Sequence, residues 1–229
     1  MDKLIEFAPL LMRGLGVTVA VAVLSLALAT ALGALSAAGR IGGGRIAHSV
    51  VFLYTSLVRG VPDLVMILLI YFGGQRLINT IGQGMGWEYI SVSPFAAGVL
   101  AIGFIYGAYL TETFRGAYLT VPRGQVEAGK ALGLSGVQTL RLVTLPQLVR
   151  FALPGYANVW QVLVKSTAVV SIIGLNDLVG LAGDAGKSVR EPFTFYFAVF
   201  LLYLGITFIS QTIFDHLERR SALVGHNAR

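Results

Sequence analysis

Three stretches of this chain, residues 14–39, 89–111 and 192–214, contain no Asp, Glu, Lys or Arg. Each is longer than the roughly 20 apolar residues a helix needs to cross a bilayer. Lipid offers backbone N–H and C=O groups no partner, so such runs must satisfy them internally, as helices do. Two further apolar runs are interrupted: 46–75 by "RGVPD" (Arg59 to Asp63) and 151–176 by Lys165. Pro62 has no N–H and disfavours a helical residue before it, so the first of these divides there. Residues 47–58 are expected to form a helix lying along or entering the membrane, and 62–73 the core of the second span. The sequence therefore predicts an all-α polytopic membrane protein with five transmembrane helices in one domain, residues 1–229. The first run has the look of a signal peptide, but it is too long and lacks a small-residue cleavage pattern, so it is expected to remain.

Composition agrees. Charged residues make up 12% of the chain and hydrophobic ones 55%, with a mean hydropathy of +0.77, against about 25% charged in soluble domains. The absence of cysteine excludes disulfides and thiolate metal sites. His48, His216 and His226 are scattered, so no metal site is expected. The net charge of +6 is better explained by basic loops on the cytoplasmic side than by nucleic acid. With five spans, Arg40, Arg45, Arg59, Arg115, Arg123, Lys130, Arg141, Arg150, Arg219, Arg220 and Arg229 fall on one side. Lys3, Arg13, Arg76, Lys187 and Arg190 fall on the other. The positive-inside rule then puts the N-terminus outside and the C-terminus in the cytoplasm.

On the cytoplasmic side lies "EAGKALGLSGVQTLRLVTLP", from Glu127 to Pro146. Pro122 suits a helix start and Gly133 a helix stop, which predicts a short helix over 123–132. Ser135 with Gln138 three residues on has the pattern of a capping box. It opens a second helix, expected to stop before Pro146. Ala128, Ala131, Leu132 and Leu134 give the first helix a small apolar face beside Glu127 and Lys130. From composition alone, an amphipathic connector resting on the bilayer and a docking element for another protein are equally good readings. No G-x-x-x-x-G-K-[ST] loop is present, and "GGGR" at 42–45 lacks its Lys-Ser/Thr ending.

The Glu-Ala pair, the Gly six residues after that Glu and the closing Leu-Pro resemble the EAA loop of ABC importer permeases. "RGVPDL", "YGAYLTETFRGAY", "VPRGQVEA" and "LPQ" followed by a second "LP" look like the polar amino-acid uptake family over nearly the whole chain. "WQVLVKSTAVVS" and "AGKSVREPF" are most similar to the Q-type permease subunit for histidine, lysine, arginine and ornithine and its opine-transporting relatives. The resemblance implies that the loop, about residues 120–146, is a coupling helix seated in a separate ATPase, with Glu127, Ala128, Gly129, Lys130, Leu132 and Gly133 carrying the contact. Gly129 departs from the third Ala of the pattern. Gly costs a helix up to about 1 kcal/mol relative to Ala, so a slightly looser loop is expected. The implied partners are a homologous permease, two copies of the ATPase and an extracytoplasmic amino-acid-binding protein. ATP and Mg would be bound by the ATPase, and this chain would hold no cofactor, in a bacterial inner membrane.

Ionisable residues within membrane spans are functional candidates, because a charge in lipid costs at least about 2.5 kcal/mol. The candidate substrate path is Asp63, Glu112, Lys165, Thr167 and Ser171. Internal pairing is the competing expectation for Glu112, with Arg59 as its partner or as that of Asp63. Lys165 is expected to fix a broken helix near the gate. Asp63 is the most informative of the five. The resemblance implies an acid at this position in importers of cationic amino acids, and a helix N-terminus stabilises its charge. Tyr54, Tyr71, Tyr106, Tyr109, Phe195 and Phe197 are read as lipid-facing or packing residues, Trp87 and Tyr89 as an interfacial belt, and Gly98, Gly103 and Gly107 as close helix contacts. A secondary transporter would show inverted repeats and more spans. A membrane-embedded enzyme would show a His, Ser or Asp group in one plane.

Overall fold

The computed structural model of the chain describes residues 2–221; His226 and Arg229 lie outside them. Ten α-helices follow in order among the described residues: α1 (Asp2–Gly42), α2 (Arg45–Gly60), α3 (Asp63–Leu68), α4 (Gly74–Gly84), α5 (Pro94–Thr120), α6 (Arg123–Ala131), α7 (Gly136–Thr139), α8 (Leu145–Ser166), α9 (Leu178–Ser188) and α10 (Pro192–Ser221). No strand occurs among these residues. A π-turn at Leu69–Gly73 fuses α3 to α4, and a second at Leu140–Thr144 fuses α7 to α8. A tight 3₁₀ turn, Thr167–Ile173, extends α8. Five helical stretches are long and apolar enough to cross a membrane: Lys3–Gly42, Asp63–Gly84, Pro94–Thr120, Gly136–Ile173 and Pro192–Ser221.

Of these, α5 is the axis. Its apolar window is 61% buried, against 17% for α10, so α5 packs on protein while α10 leaves most of its surface exposed. The predicted close contacts hold at its glycines. A Cβ at Gly98 would stand 2.6 Å from Val170, one at Gly103 2.6 Å from Leu28, and one at Gly107 2.8 Å from the Tyr54 hydroxyl. Gly33 on α1 meets Leu110 in the same way, at 2.7 Å. Small residues let the two backbones approach where lipid gives no hydrophobic drive for association. Tyr54 then donates to the Phe104 carbonyl at 2.6 Å, anchoring α2 against the middle of α5. The interrupted run thus enters the bundle rather than lying flat on it, while Ile46, Val50, Leu53 and Leu57 stay exposed along another side of α2.

The N-terminal turns of α1 do more than the apolar run foretold. Leu11 packs with Leu178, Ala182 and Phe195 in a second core, and Phe7 meets the Phe195 ring edge-on at 5.5 Å. Asp177, a residue the sequence did not single out, caps α9 there, its Oδ1 accepting the Gly180 amide at 2.9 Å. Burial pushes this carboxyl up from its ordinary value, opposed by the helix amides.

The polar stretch folds largely as its punctuation dictates. Pro122 is the N-cap of α6 and Leu132 its C-cap, and Gly133 takes a left-handed φ of 82°. Both halves of the capping box form at Ser135 and Gln138. The expected stop before Pro146 does not occur: α7 runs through the π-turn into α8, with Pro146 in the first turn of α8. A proline clashes with the carbonyl four residues back and donates nothing to it; the widened turn removes the need for that bond. Gly129 is buried, and a Cβ there would sit 3.4 Å from Thr139 and 3.5 Å from Val143. Gly129→Ala is therefore expected to stabilise the loop by about 0.5–1 kcal/mol, seen as a higher thermal midpoint of the purified protein. A lower midpoint would show that Thr139 and Val143 cannot accept a methyl group.

Candidate functional site

The chain break at "RGVPD" is what creates the site. Extended Val61 and Pro62 end α2 and start α3, so Asp63 stands at a helix N-terminus halfway along α5 instead of at a membrane surface. There its Oδ2 accepts the Tyr106 hydroxyl at 2.8 Å and the Ser166 hydroxyl at 3.1 Å, and those two hydroxyls are 2.5 Å apart. Tyr106 is 2% exposed; this polar handle, not packing alone, keeps it there, since a buried phenol needs a partner. Asp63 itself stays partly open. The result is one carboxylate fixed by two neutral donors, with no base as partner among the described residues. Such an acid is left open to a cation that arrives.

Ser166 is the last residue of α8 before the helix tightens into its 3₁₀ turn, so the acid from α3, the phenol from α5 and the helix discontinuity meet at one point. Lys165 is exposed beside it and forms no ion pair among the described residues. Thr167 is 1% exposed, donating to the Val164 carbonyl at 2.7 Å and facing the Tyr203 hydroxyl at 3.1 Å. Ser171 donates to the Ala168 carbonyl at 2.6 Å. These two hydroxyls therefore satisfy their own turn. The 3₁₀ turn ends at Gly174, whose φ is 87°.

Glu112 is internally paired, but not with Arg59. It binds Arg40 from the end of α1 and, at 2.9 Å, Arg115 one turn along its own helix. The Arg40 and Glu112 side chains are only 14% and 19% exposed, so the pair ties α1 to α5 under partial burial. Removing Glu112 would leave Arg40, 14% exposed, without its acid. The sequence could not distinguish these arginines, because the choice depends on where α1 ends beside α5. Arg59 instead stacks over the Tyr109 ring, 5.4 Å from its centre, and Tyr109 stacks on Tyr106 at 5.5 Å. Arg40, Ser56, Arg59, Tyr109 and Glu112 line an open hollow of about 640 Å³.

On α6, Glu127, Ala128 and Lys130 are exposed, as is Leu132 just after it, while Gly129 faces inward. Tyr118, Val121, Val126, Glu127 and Lys130 edge a cleft of about 350 Å³. Among the described residues Glu127 forms no ion pair, and no cluster of His, Asp and Glu could hold a metal ion. Among the described residues the site has no nucleophile–base pair aimed at a reacting atom. Its assets are a fixed carboxylate, a stacked guanidinium and a helix break, which suit binding and passage of a charged solute.

Known proteins resemble this chain throughout. It is 44% identical over 214 residues to the histidine/lysine/arginine/ornithine transport system permease protein HisQ of Escherichia coli (strain K12), covering 93% of this chain and 94% of that protein. It is 39% identical over 212 residues to the octopine transport system permease protein OccQ of Rhizobium radiobacter, covering 92% and 90%. Among solved structures, an amino acid ABC transporter crystallised with histidines superposes with a TM-score of 0.83 at 28% identity, over 95% of this chain and 96% of that one. The MetNI methionine ABC transporter in an inward-facing form shares the fold, with a TM-score of 0.74 at 21% identity over 95% and 99%. Residues 29–222 match the sequence pattern of binding-protein-dependent transport system inner membrane components, and with five helices fit to cross a membrane the chain belongs to that family, as a transport component rather than an enzyme.

Proposed function

We propose that this chain is the permease subunit of an ATP-driven ABC importer for basic amino acids or opines, working as a single transmembrane domain in a bacterial inner membrane. The observation that carries the choice of substrate is Asp63, a carboxylate held by neutral donors at the meeting of three helices. A solute with a side-chain ammonium or guanidinium supplies the cation that the fold withholds. Relatives named for histidine, lysine, arginine and ornithine and for octopine support the same substrate class. The path runs past Asp63 and Lys165, with Thr167 and Ser171 shaping the 3₁₀ turn beside it and Glu112 closing the hollow below. The end of the bundle bearing Thr120 faces the cytoplasm, and α6 with Glu127, Ala128, Gly129, Lys130, Leu132 and Gly133 docks in an ATPase. That ATPase binds ATP and Mg, in two copies, while a homologous permease and an extracytoplasmic binding protein complete the complex.

The direct test is uptake of radiolabelled arginine, lysine and histidine into proteoliposomes holding the whole complex, with the loaded binding protein and ATP. Uptake that requires both supports the proposal; transport driven by an ion gradient without ATP overturns it. Orientation has its own test. Single cysteines at Gln83 and Val137, both exposed, are expected to react with impermeant reagents from opposite sides, Gln83 from outside. The chain contains no cysteine, so the labels are unambiguous, and Val137 spares the Ser135 cap. Reaction of both from one side removes the five-span topology.

A further inference from the structure

The glycine corner at residues 42–44, between α1 and α2, carries none of the path or docking residues, yet it sets a base beside an apolar stripe. Gly43 donates to the Gly39 carbonyl at 3.0 Å, and a Cβ there would collide with that oxygen. Glycine alone closes the corner so tightly, and α2 folds back beside α1. Arg45 is the first residue of α2. It is exposed and has no ion pair among the described residues. No acidic residue lies between Glu6 and Asp63 in the sequence, and Glu112 is held by Arg40 and Arg115. A guanidinium is always charged, so Arg45 is left without a counter-ion.

Tyr54 fixes the level at which that charge stands. Its hydroxyl meets the Phe104 carbonyl in the middle of α5, and Arg45 lies nine residues earlier, about 14 Å along α2. The hydrocarbon core of a bilayer is about 30 Å thick, so Arg45 falls at the headgroup boundary. From there Ile46, Val50, Leu53 and Leu57 form an exposed stripe along one face of the helix. The stripe runs about 16 Å, the depth of one leaflet. Beside Arg45 it opens into a hollow of about 830 Å³ whose other walls are Gly44, Ile46, Ala47, Val50 and Val51. A protein helix would cover the stripe without using the base, and a free anion would use the base without the stripe. A phospholipid with a negative headgroup uses both, and basic amphipathic helices favour such lipids. The first turn of α2 has neither an acidic residue nor a side-chain cap, so the positive end of the helix dipole adds to the charge of Arg45. We propose that α2 holds one anionic phospholipid, its phosphate on Arg45 and an acyl chain along Ile46, Val50, Leu53 and Leu57. With the orientation proposed above, on which this assignment of side rests, the lipid belongs to the cytoplasmic leaflet.

The test is photolabelling of the purified complex in phosphatidylcholine nanodiscs that carry a trace of photoreactive phosphatidylglycerol, with the labelled peptides mapped. Label is expected on α2 between Ile46 and Leu57. It should fall when unlabelled phosphatidylglycerol replaces part of the phosphatidylcholine, and stay when inorganic phosphate is added at constant ionic strength. Arg45→Gln should cut the yield about fivefold, the effect of one base near an anionic surface, while Arg45→Lys should keep most of it. Because Arg45 is exposed and unpaired among the described residues, both variants should assemble. Arg219→Gln, which removes an exposed base from the last turn of α10, is the control and should leave labelling of α2 unchanged. Equal labelling of the wild type and Arg45→Gln, or equal losses in Arg45→Gln and Arg219→Gln, overturns the site. Displacement by inorganic phosphate gives Arg45 to a soluble anion, and absence of label from α2 gives the stripe to a protein partner; either result overturns the proposal too. None of these measurements involves transport, so the importer reading stands or falls separately, on uptake by proteoliposomes.

Discussion

Asp63→Asn is expected to lower uptake of basic amino acids roughly ten- to a hundredfold per assembled complex, since a hydrogen bond to a charged group contributes about 1.5–3 kcal/mol. The structure makes this substitution a clean one. The Asn carbonyl can still accept from Tyr106 or Ser166, and no base among the described residues loses its partner, so assembly should be spared. ATPase stimulation by the loaded binding protein should also persist, because α6 lies away from the site. Uptake normalised to purified complex is the deciding measurement. Unchanged normalised uptake, with less complex recovered, would make Asp63 a helix-start residue and remove it from the path. Tyr106→Phe gives a finer control. It deletes one donor to the carboxylate while keeping the ring stack, and a several-fold loss of uptake is expected.

The second large effect belongs to the α6 loop. Glu127→Arg reverses an exposed charge that is free of ion pairs among the described residues, so the fold should tolerate it, while the proposed docking of α6, if it pairs Glu127 with a cation of the ATPase, should not. Gly133→Val acts through the backbone instead. Nothing lies within 4 Å of a Cβ there, but the φ of 82° costs a residue with a side chain about 1–2 kcal/mol, more for a β-branched one. Enough of that strain should be relieved by shifting α6 to spoil its seat. Both variants are expected to insert normally, to lose most of the co-purifying ATPase and to abolish ATP-driven uptake. Full uptake with a normal amount of ATPase in the pull-down would exclude α6 as the coupling element.

The class of protein and the places where its helices could break were legible in the order of its residues. The uncharged runs at 14–39, 89–111 and 192–214 are longer than a bilayer is thick and admit helices as their main solution, and the other two spans were read from the interrupted runs, at 62–73 and 151–176. Local chemistry was equally legible: Pro122, Gly133 and the Ser135–Gln138 box act within one helical turn, so their neighbours in sequence are their neighbours in space. The passage through Pro146 was not legible, because a π-turn depends on the strain of the whole α7–α8 helix and has no residue signature of its own. Partner choice among charges was decided only by the tertiary structure. Arg40 reaches Glu112 across 72 positions, Ser166 reaches Asp63 across 103, and Arg59, four residues from Asp63, turns to a tyrosine ring instead. Helical spacing fixes which residues share a face of one helix; only the packing of α1 and α2 on α5, set by glycines that let the backbones close, decides which of those faces meet.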